Sequence, residues 1–169
     1  TKMDATKLIS TDIDDCGCST AGVETLKPVR GSKEFEELRL ATEKSAKTPK
    51  AFMLTIGSLS MRLARAQFSG NFFACAGYEI IDNLGFDSVE EGVKAALEAN
   101  ADLVVLCSSD DEYTEFAPAA YELLKDRAIL VVAGAPANMD ELKAKGIDHF
   151  ISVKSNGLET LQGFNNKVI

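Results

Sequence analysis

Two short runs, Leu103-Val104-Val105-Leu106 and Ile129-Leu130-Val131-Val132, are apolar at every position. A strand with one wet face alternates apolar and polar residues, so an unbroken apolar run marks a strand covered on both faces, as in a parallel sheet between helices. Outward from these runs, further short apolar stretches stand at 51–56, 78–81 and 149–152. Helical spacing recurs between and beyond them, at about 61–76, 89–99, 114–126, 138–145 and 157–166. Five strand-then-helix units predict a three-layer αβα domain, a flavodoxin-like (Rossmann-like) doubly wound five-stranded parallel sheet with order 2-1-3-4-5. Such sheets bind ligands beyond the carboxyl ends of their strands, where the strand order reverses. That rule places the functional zone at 57–64 and 107–112.

Upstream of the alternation, Phe35, Leu38, Leu40 and Ala41 recur at helical spacing among Glu and Lys. Ser32 is positioned as a cap, Glu34, Glu36 and Glu37 favour the first turn, and Pro49 stops the helix. Residues 1–31 show no lasting periodicity and are rich in Ser, Thr, Asp and Gly. The expected organisation is therefore an arm or linker at 1–31, a pre-helix at 32–48 and an α/β domain at 49–169. The arm is expected to be open to proteolysis in the isolated chain and to wrap neighbouring surface in a longer protein. A first residue of Thr1 rather than Met fits a piece of a larger subunit.

The 169 residues carry a net charge of −8, with 46% hydrophobic and 26% charged side chains. Residues 1–50 hold nine basic and nine acidic side chains, and residues 51–169 hold nine and seventeen, so the deficit lies wholly in the α/β region. That balance argues against nucleic-acid binding, which needs clustered Lys and Arg. No apolar run approaches the roughly 20 residues that span a bilayer. Four scattered cysteines make no disulfide framework and fit a reducing compartment. Cys75 and Cys107 lie in apolar stretches and are expected in the core. Cys16-Gly17-Cys18 lacks the partner ligands of a tetrahedral metal site, so no metal is expected.

In the functional zone, Ile56-Gly57-Ser58-Leu59-Ser60-Met61-Arg62-Leu63-Ala64 has a single glycine, so neither a dinucleotide nor a P-loop pattern is present. Its two serines are expected to cap the following helix. Met61, Ala64, Phe68, Phe72 and Cys75 recur at helical spacing, which would put Met61 and Ala64 on the buried stripe. Across the zone, Cys107-Ser108-Ser109-Asp110-Asp111-Glu112 ends in three carboxylates. They suit solvated helix capping better than a hard cation. His149 is the sole histidine and stands at the start of the fifth strand, opposite the ligand edge, where it is read as structural. No nucleophile–base pair is visible, so no catalytic residue is assigned.

Over about 30–169 the chain also resembles a known family. Phe35-Glu36-Glu37-Leu38-Arg39-Leu40-Ala41-Thr42-Glu43, Pro49, the strand ending Ile56-Gly57, Gly77-Tyr78-Glu79-Ile80, Gly85-Phe86, the strand at 102–107 and Val132-Ala133-Gly134 look like the C-terminal part of the methylmalonyl-CoA mutase family. There a pre-helix leads into a cobalamin-binding domain. The resemblance implies a cobalamin signature, Asp-x-His-x-x-Gly, at positions 59, 61 and 64. This sequence has Leu59, Met61 and Ala64 there. In binding members the histidine ligates cobalt, the aspartate orients it and the glycine admits the nucleotide tail. Leu59 cannot accept a hydrogen bond, Met61 offers only a thioether and Ala64 adds a methyl. The family's tail-binding Ser-x-Leu and Gly-Gly segments have drifted to Ser108-Ser109 and a lone Gly134, which would line a remnant pocket or simply form turns.

The family includes heterodimers whose large catalytic subunit binds adenosylcobalamin, while a smaller homologous subunit has lost the signature. The chain resembles the C-terminal domain of that smaller subunit. The resemblance implies a cytoplasmic (bacterial cytosol) protein, a partner in the large subunit and an upstream barrel domain of the same subunit. It also implies no cofactor held by this chain and an assembly role without chemistry of its own. Two other readings stay open: a cobalamin carrier with Met61 as an atypical ligand, and a stand-alone flavodoxin-like binding module.

Overall fold

The computed structural model describes residues 30–169. The expected arm at 1–31, with Cys16 and Cys18, lies almost wholly outside the described residues. Strands β1 (Lys50–Thr55), β2 (Glu79–Ile81), β3 (Leu103–Cys107), β4 (Ile129–Ala133) and β5 (Phe150–Ile151) form a sheet in the order β2-β1-β3-β4-β5. Every pairing is parallel; Ala51 lies opposite Leu103, Thr55 opposite Cys107, and Val105 opposite Val131. Helices α1 (Lys33–Lys44), α2 (Leu59–Cys75), α3 (Val89–Glu98), α4 (Tyr113–Leu124), α5 (Met139–Ala144) and α6 (Gly157–Val168) complete the alternation. The order is the flavodoxin-like one, and the reversal falls between β1 and β3.

The pleat explains why the central strands are apolar throughout. Alternate residues point to opposite faces, so each central strand feeds two cores. On one face Phe52, Leu54, Val104, Leu106, Leu130 and Val132 meet Val93 and Ala96 of α3 and Ala117 and Leu124 of α4. On the other, Ala51, Met53, Leu103, Val105, Val131 and Ile151 meet Leu38 of α1, Ala66 and Phe73 of α2, and Leu161 and Phe164 of α6. Each fully buried Leu or Val contributes about 1.5–3 kcal/mol relative to exposure.

The pre-helix is bound to this second face by a buried polar chain. The Tyr78 hydroxyl donates to Asn165 Oδ1 at 2.6 Å, and Asn165 Nδ2 donates to Thr42 Oγ1 at 3.0 Å. Thr42 Oγ1 in turn donates to the Leu38 carbonyl at 3.2 Å, which closes the loop back onto α1. Only Leu38 and Thr42 of α1 are buried, and Phe35, at the head of the expected apolar stripe, is exposed. Ser32 also departs from expectation: its hydroxyl donates to Glu36 Oε1 at 2.8 Å and makes no cap hydrogen bond to the backbone.

Helix α2 corrects a second expectation. Its buried residues are Ala66, Ser69 and Phe73, with Phe68 and Phe72 half-buried. Met61, Ala64 and Cys75 are exposed. The stripe chosen by spacing runs one ridge away from the one the sheet covers. Cys107 is buried as expected, and burial pushes its thiol up to about 12.

Candidate functional site

The carboxyl ends of β1 and β3 bring the two expected loop segments together. The Ile56 amide donates to the Cys107 carbonyl at 3.2 Å, and from there the chain turns outward through Gly57 into α2. On the neighbouring strand, Ser108 and Ser109 lead into α4. Sequence-expected positions 57–64 and 107–112 thus share one edge.

Glu112 is the centre of that edge. Its Oε2 accepts from Ser108 Oγ at 2.5 Å, Ser109 Oγ at 2.7 Å, the Ser109 amide at 3.1 Å and the Ser58 amide at 3.4 Å. The two serine hydroxyls hold its carboxyl well below the usual carboxylate range, at about 2, against the opposing effect of burial, with the Ser109 and Ser58 amides adding smaller shares. The carboxylate lies directly over Gly57, where an added Cβ would collide with it. Gly57 also has a φ of +77°, a backbone region costly for any residue with a Cβ. Both demands make position 57 a glycine.

These contacts correct two expectations at the helix starts. Ser58 stands at the N-cap of α2, yet its hydroxyl caps nothing; its amide is instead taken by Glu112 from the adjacent loop. The carboxylates at 110–112 do not act as one cluster either. Glu112 reaches back to Ser108 and Ser109 and makes no forward cap hydrogen bond. Asp110 pairs with Arg65 Nη2 of α2 at 3.0 Å, and Asp111 stays exposed. Among the described residues no three His, Cys, Asp or Glu side chains converge as metal ligands.

The remaining candidates fall around this latch. Ser108 is buried and its amide donates to the Tyr113 hydroxyl at 3.1 Å, which itself donates to the Ala133 carbonyl at 2.6 Å. Burial raises the Tyr113 phenol far above its ordinary value, so it serves as a neutral strut between β3 and β4. Gly134 follows β4, and a Cβ there would come within 2.8 Å of Asp110 Oδ1 and 3.1 Å of Tyr113. Ser108, Ser109 and Gly134 are therefore brought together, but their space is filled by Glu112, Asp110 and Tyr113. Arg62, Arg65 and Tyr113 were not singled out from sequence. Arg62 donates to the Gly57 carbonyl at 3.4 Å and the Leu84 carbonyl at 3.3 Å, drawing the loop after β2 against the start of α2.

Four apolar side chains near this edge are exposed. Leu59 is 60% exposed, Met61 37%, Leu63 51% and Leu84 94%. At the opposite edge, His149 is held by packing, its ring edge-on to Phe164 at 5.3 Å and its Nε2 2.9 Å from Lys167 Nζ.

Fold and edge together define a flavodoxin-like, doubly wound α/β domain with Glu112 hydrogen-bonded between the loops after β1 and β3. No protein-family model matches the chain. It is 67% identical over 153 residues, 90% of its length, to the methylmalonyl-CoA mutase small subunit of Porphyromonas gingivalis. It is 32% identical over 131 residues, 73% of its length, to the methylmalonyl-CoA mutase small subunit of Streptomyces virginiae. By sequence the chain belongs to the methylmalonyl-CoA mutase small-subunit family. It spans about a quarter of the length of the curated relatives it matches, 25% of the first and 21% of the second. Among the described residues no helix is long and apolar enough to cross a membrane.

Proposed function

We propose that this chain is the cobalamin-domain-like part of a mutase small subunit that has given up cofactor binding and serves to assemble the enzyme. The carrying observation is the chemistry of the ligand edge. Leu59, Met61, Leu63 and Leu84 are exposed there, and no imidazole is present to ligate a metal. Leu59 and Ala64 supply neither a hydrogen-bond acceptor to orient a ligand nor a polar handle of any kind.

The residues present do not fit a cobalamin. Its lower ligand would have to be the Met61 thioether, a weak donor to a metal, on an exposed helical position. Its nucleotide tail would have to enter between Gly57, Ser108, Ser109 and Gly134, where Glu112, Asp110 and Tyr113 already sit. Adenosylcobalamin and the interconversion of methylmalonyl-CoA and succinyl-CoA belong, on this reading, to a large catalytic subunit. An upstream barrel of the small subunit would be a further partner, in a cytoplasmic heterodimer. On this reading the exposed leucines near this edge would contribute to a protein–protein contact.

Titrating the 169-residue chain with hydroxocobalamin tests the loss of binding. The expected result is an unchanged cobalamin spectrum and no coloured protein after gel filtration. Stoichiometric retention of cobalamin, lost in a Met61→Ala variant, would instead establish the carrier reading.

A further inference from the structure

The donors around Glu112 come from two separate loops. Ser58 belongs to the turn between β1 and α2, whereas Ser108 and Ser109 follow β3. Two amides and two hydroxyls point at one oxygen, and all four are groups that bind phosphate or carboxylate oxygens in ligand sites. Their position, at the carboxyl ends of β1 and β3, is where a doubly wound sheet ordinarily takes its ligand. The space over Gly57 is shaped to the occupant, because any Cβ there would meet the Glu112 carboxylate.

We propose that Glu112 is a built-in plug: its carboxylate fills an anion cradle formed where the β1–α2 and β3–α4 loops meet, and so closes that cradle to outside anions. The plug also fastens the loops to each other, since the Ser58 amide and the β3 serines share one acceptor. Arg65 and Asp110 add a second tie between α2 and the same loop, at 3.0 Å. The cradle is a property of this chain's own loops and holds whether or not the chain serves a mutase. Its failure would leave the assembly reading standing, and the reverse is equally true.

Emptying the cradle tests the proposal. A Glu112→Ala chain, folded by circular dichroism, is melted in formate, in acetate and in chloride at equal ionic strength. Formate is expected to raise its Tm saturably, by about 3–6 °C at roughly tenfold above the dissociation constant, with no matching rise in the unsubstituted chain. Adding Ser109→Ala to Glu112→Ala should weaken the formate response. A folded Glu112→Ala chain that responds to formate no more than to chloride overturns the proposal, as does an equal response of the unsubstituted chain. Should Glu112→Ala fail to fold, carboxyl carbon-13 titration of the unsubstituted chain decides. A Glu112 resonance that stays ionised through pH 4 supports the plug, and an ordinary midpoint of 4.5 overturns it.

Discussion

His149 carries the chain's one imidazole, and its surroundings favour the neutral ring. Burial lowers its pKa first and the Lys167 ammonium second, with Asp148 opposing weakly. At 2.9 Å from Nε2, Lys167 donates to the ring, so protonating that nitrogen would break the hydrogen bond and set two cations together. The unfolded ring titrates near about 6.5. With the folded pKa lower, the unfolded chain binds the proton first as pH falls. The stability from the neutral ring is complete above about 6.5 and drains away below it. Glu112 acts in a separate and more acid window: its contribution is present above its ordinary value of 4.5 and is lost as pH falls toward about 2. Urea midpoints measured from pH 7.5 to 5.5 should therefore decline for the unsubstituted chain and decline less for His149→Gln, whose amide oxygen can still accept from Lys167. Parallel slopes for the two proteins would contradict this account. The place of His149 was legible in the sequence because a residue starting a parallel strand lies opposite the ligand edge. The role of Glu112 was hidden, since its Ser58 partner lies far off in sequence and becomes a neighbour only when β1 and β3 pair.

At the scale of elements, the α1 attachment rests on Asn165. That side chain satisfies the Tyr78 hydroxyl and bonds Thr42, so it links α6, the start of β2 and α1 at once. Asn165→Ala would leave the buried Tyr78 hydroxyl without its acceptor, at a cost of about 1–3 kcal/mol. The loss should show in urea unfolding. Amides of α1 should also exchange faster relative to those of β3, because α1 buries little else than Leu38 and Thr42. Retained α1 protection beside a destabilised sheet would show that Leu38 and the Arg39–Ala74 carbonyl hydrogen bond suffice to hold the helix. The strands were legible because burial on both pleat faces forces continuous Val, Leu and Ile, and the turns between them fixed the order of elements. The face of α2 was not legible. Its apolar residues surround the helix, from Leu59, Met61 and Leu63 through Phe68, Phe72 and Phe73, so periodicity could not tell the sheet-facing side from the outer one. The side that packs carries Ala66, Ser69 and Phe73, a mixed set that no apolar count distinguishes from the outer side.

Across the whole molecule, two kinds of surface divide the labour. The acidic excess of residues 51–169 keeps the domain hydrated, while its exposed Leu59, Met61, Leu63 and Leu84 gather around the start of α2. Arg62 holds the Leu84 loop beside that helix by its hydrogen bond to the Leu84 carbonyl. Leu84 at 94% exposure contributes almost nothing to the packing of this domain. The assembly role predicts a separation of effects. Leu59→Glu with Leu84→Glu should leave the Tm of the 169-residue chain within about 2 °C, as for other exposed substitutions. In a full-length small subunit the same pair should weaken association with its partner surfaces at least tenfold, because a carboxylate desolvated in an apolar contact finds no counter-charge. Sedimentation of the mixed subunits, beside a control carrying Glu90→Lys and Glu98→Lys on α3, measures the difference. Intact assembly with both leucines charged would remove them from the interface and leave the small subunit to associate through other surfaces.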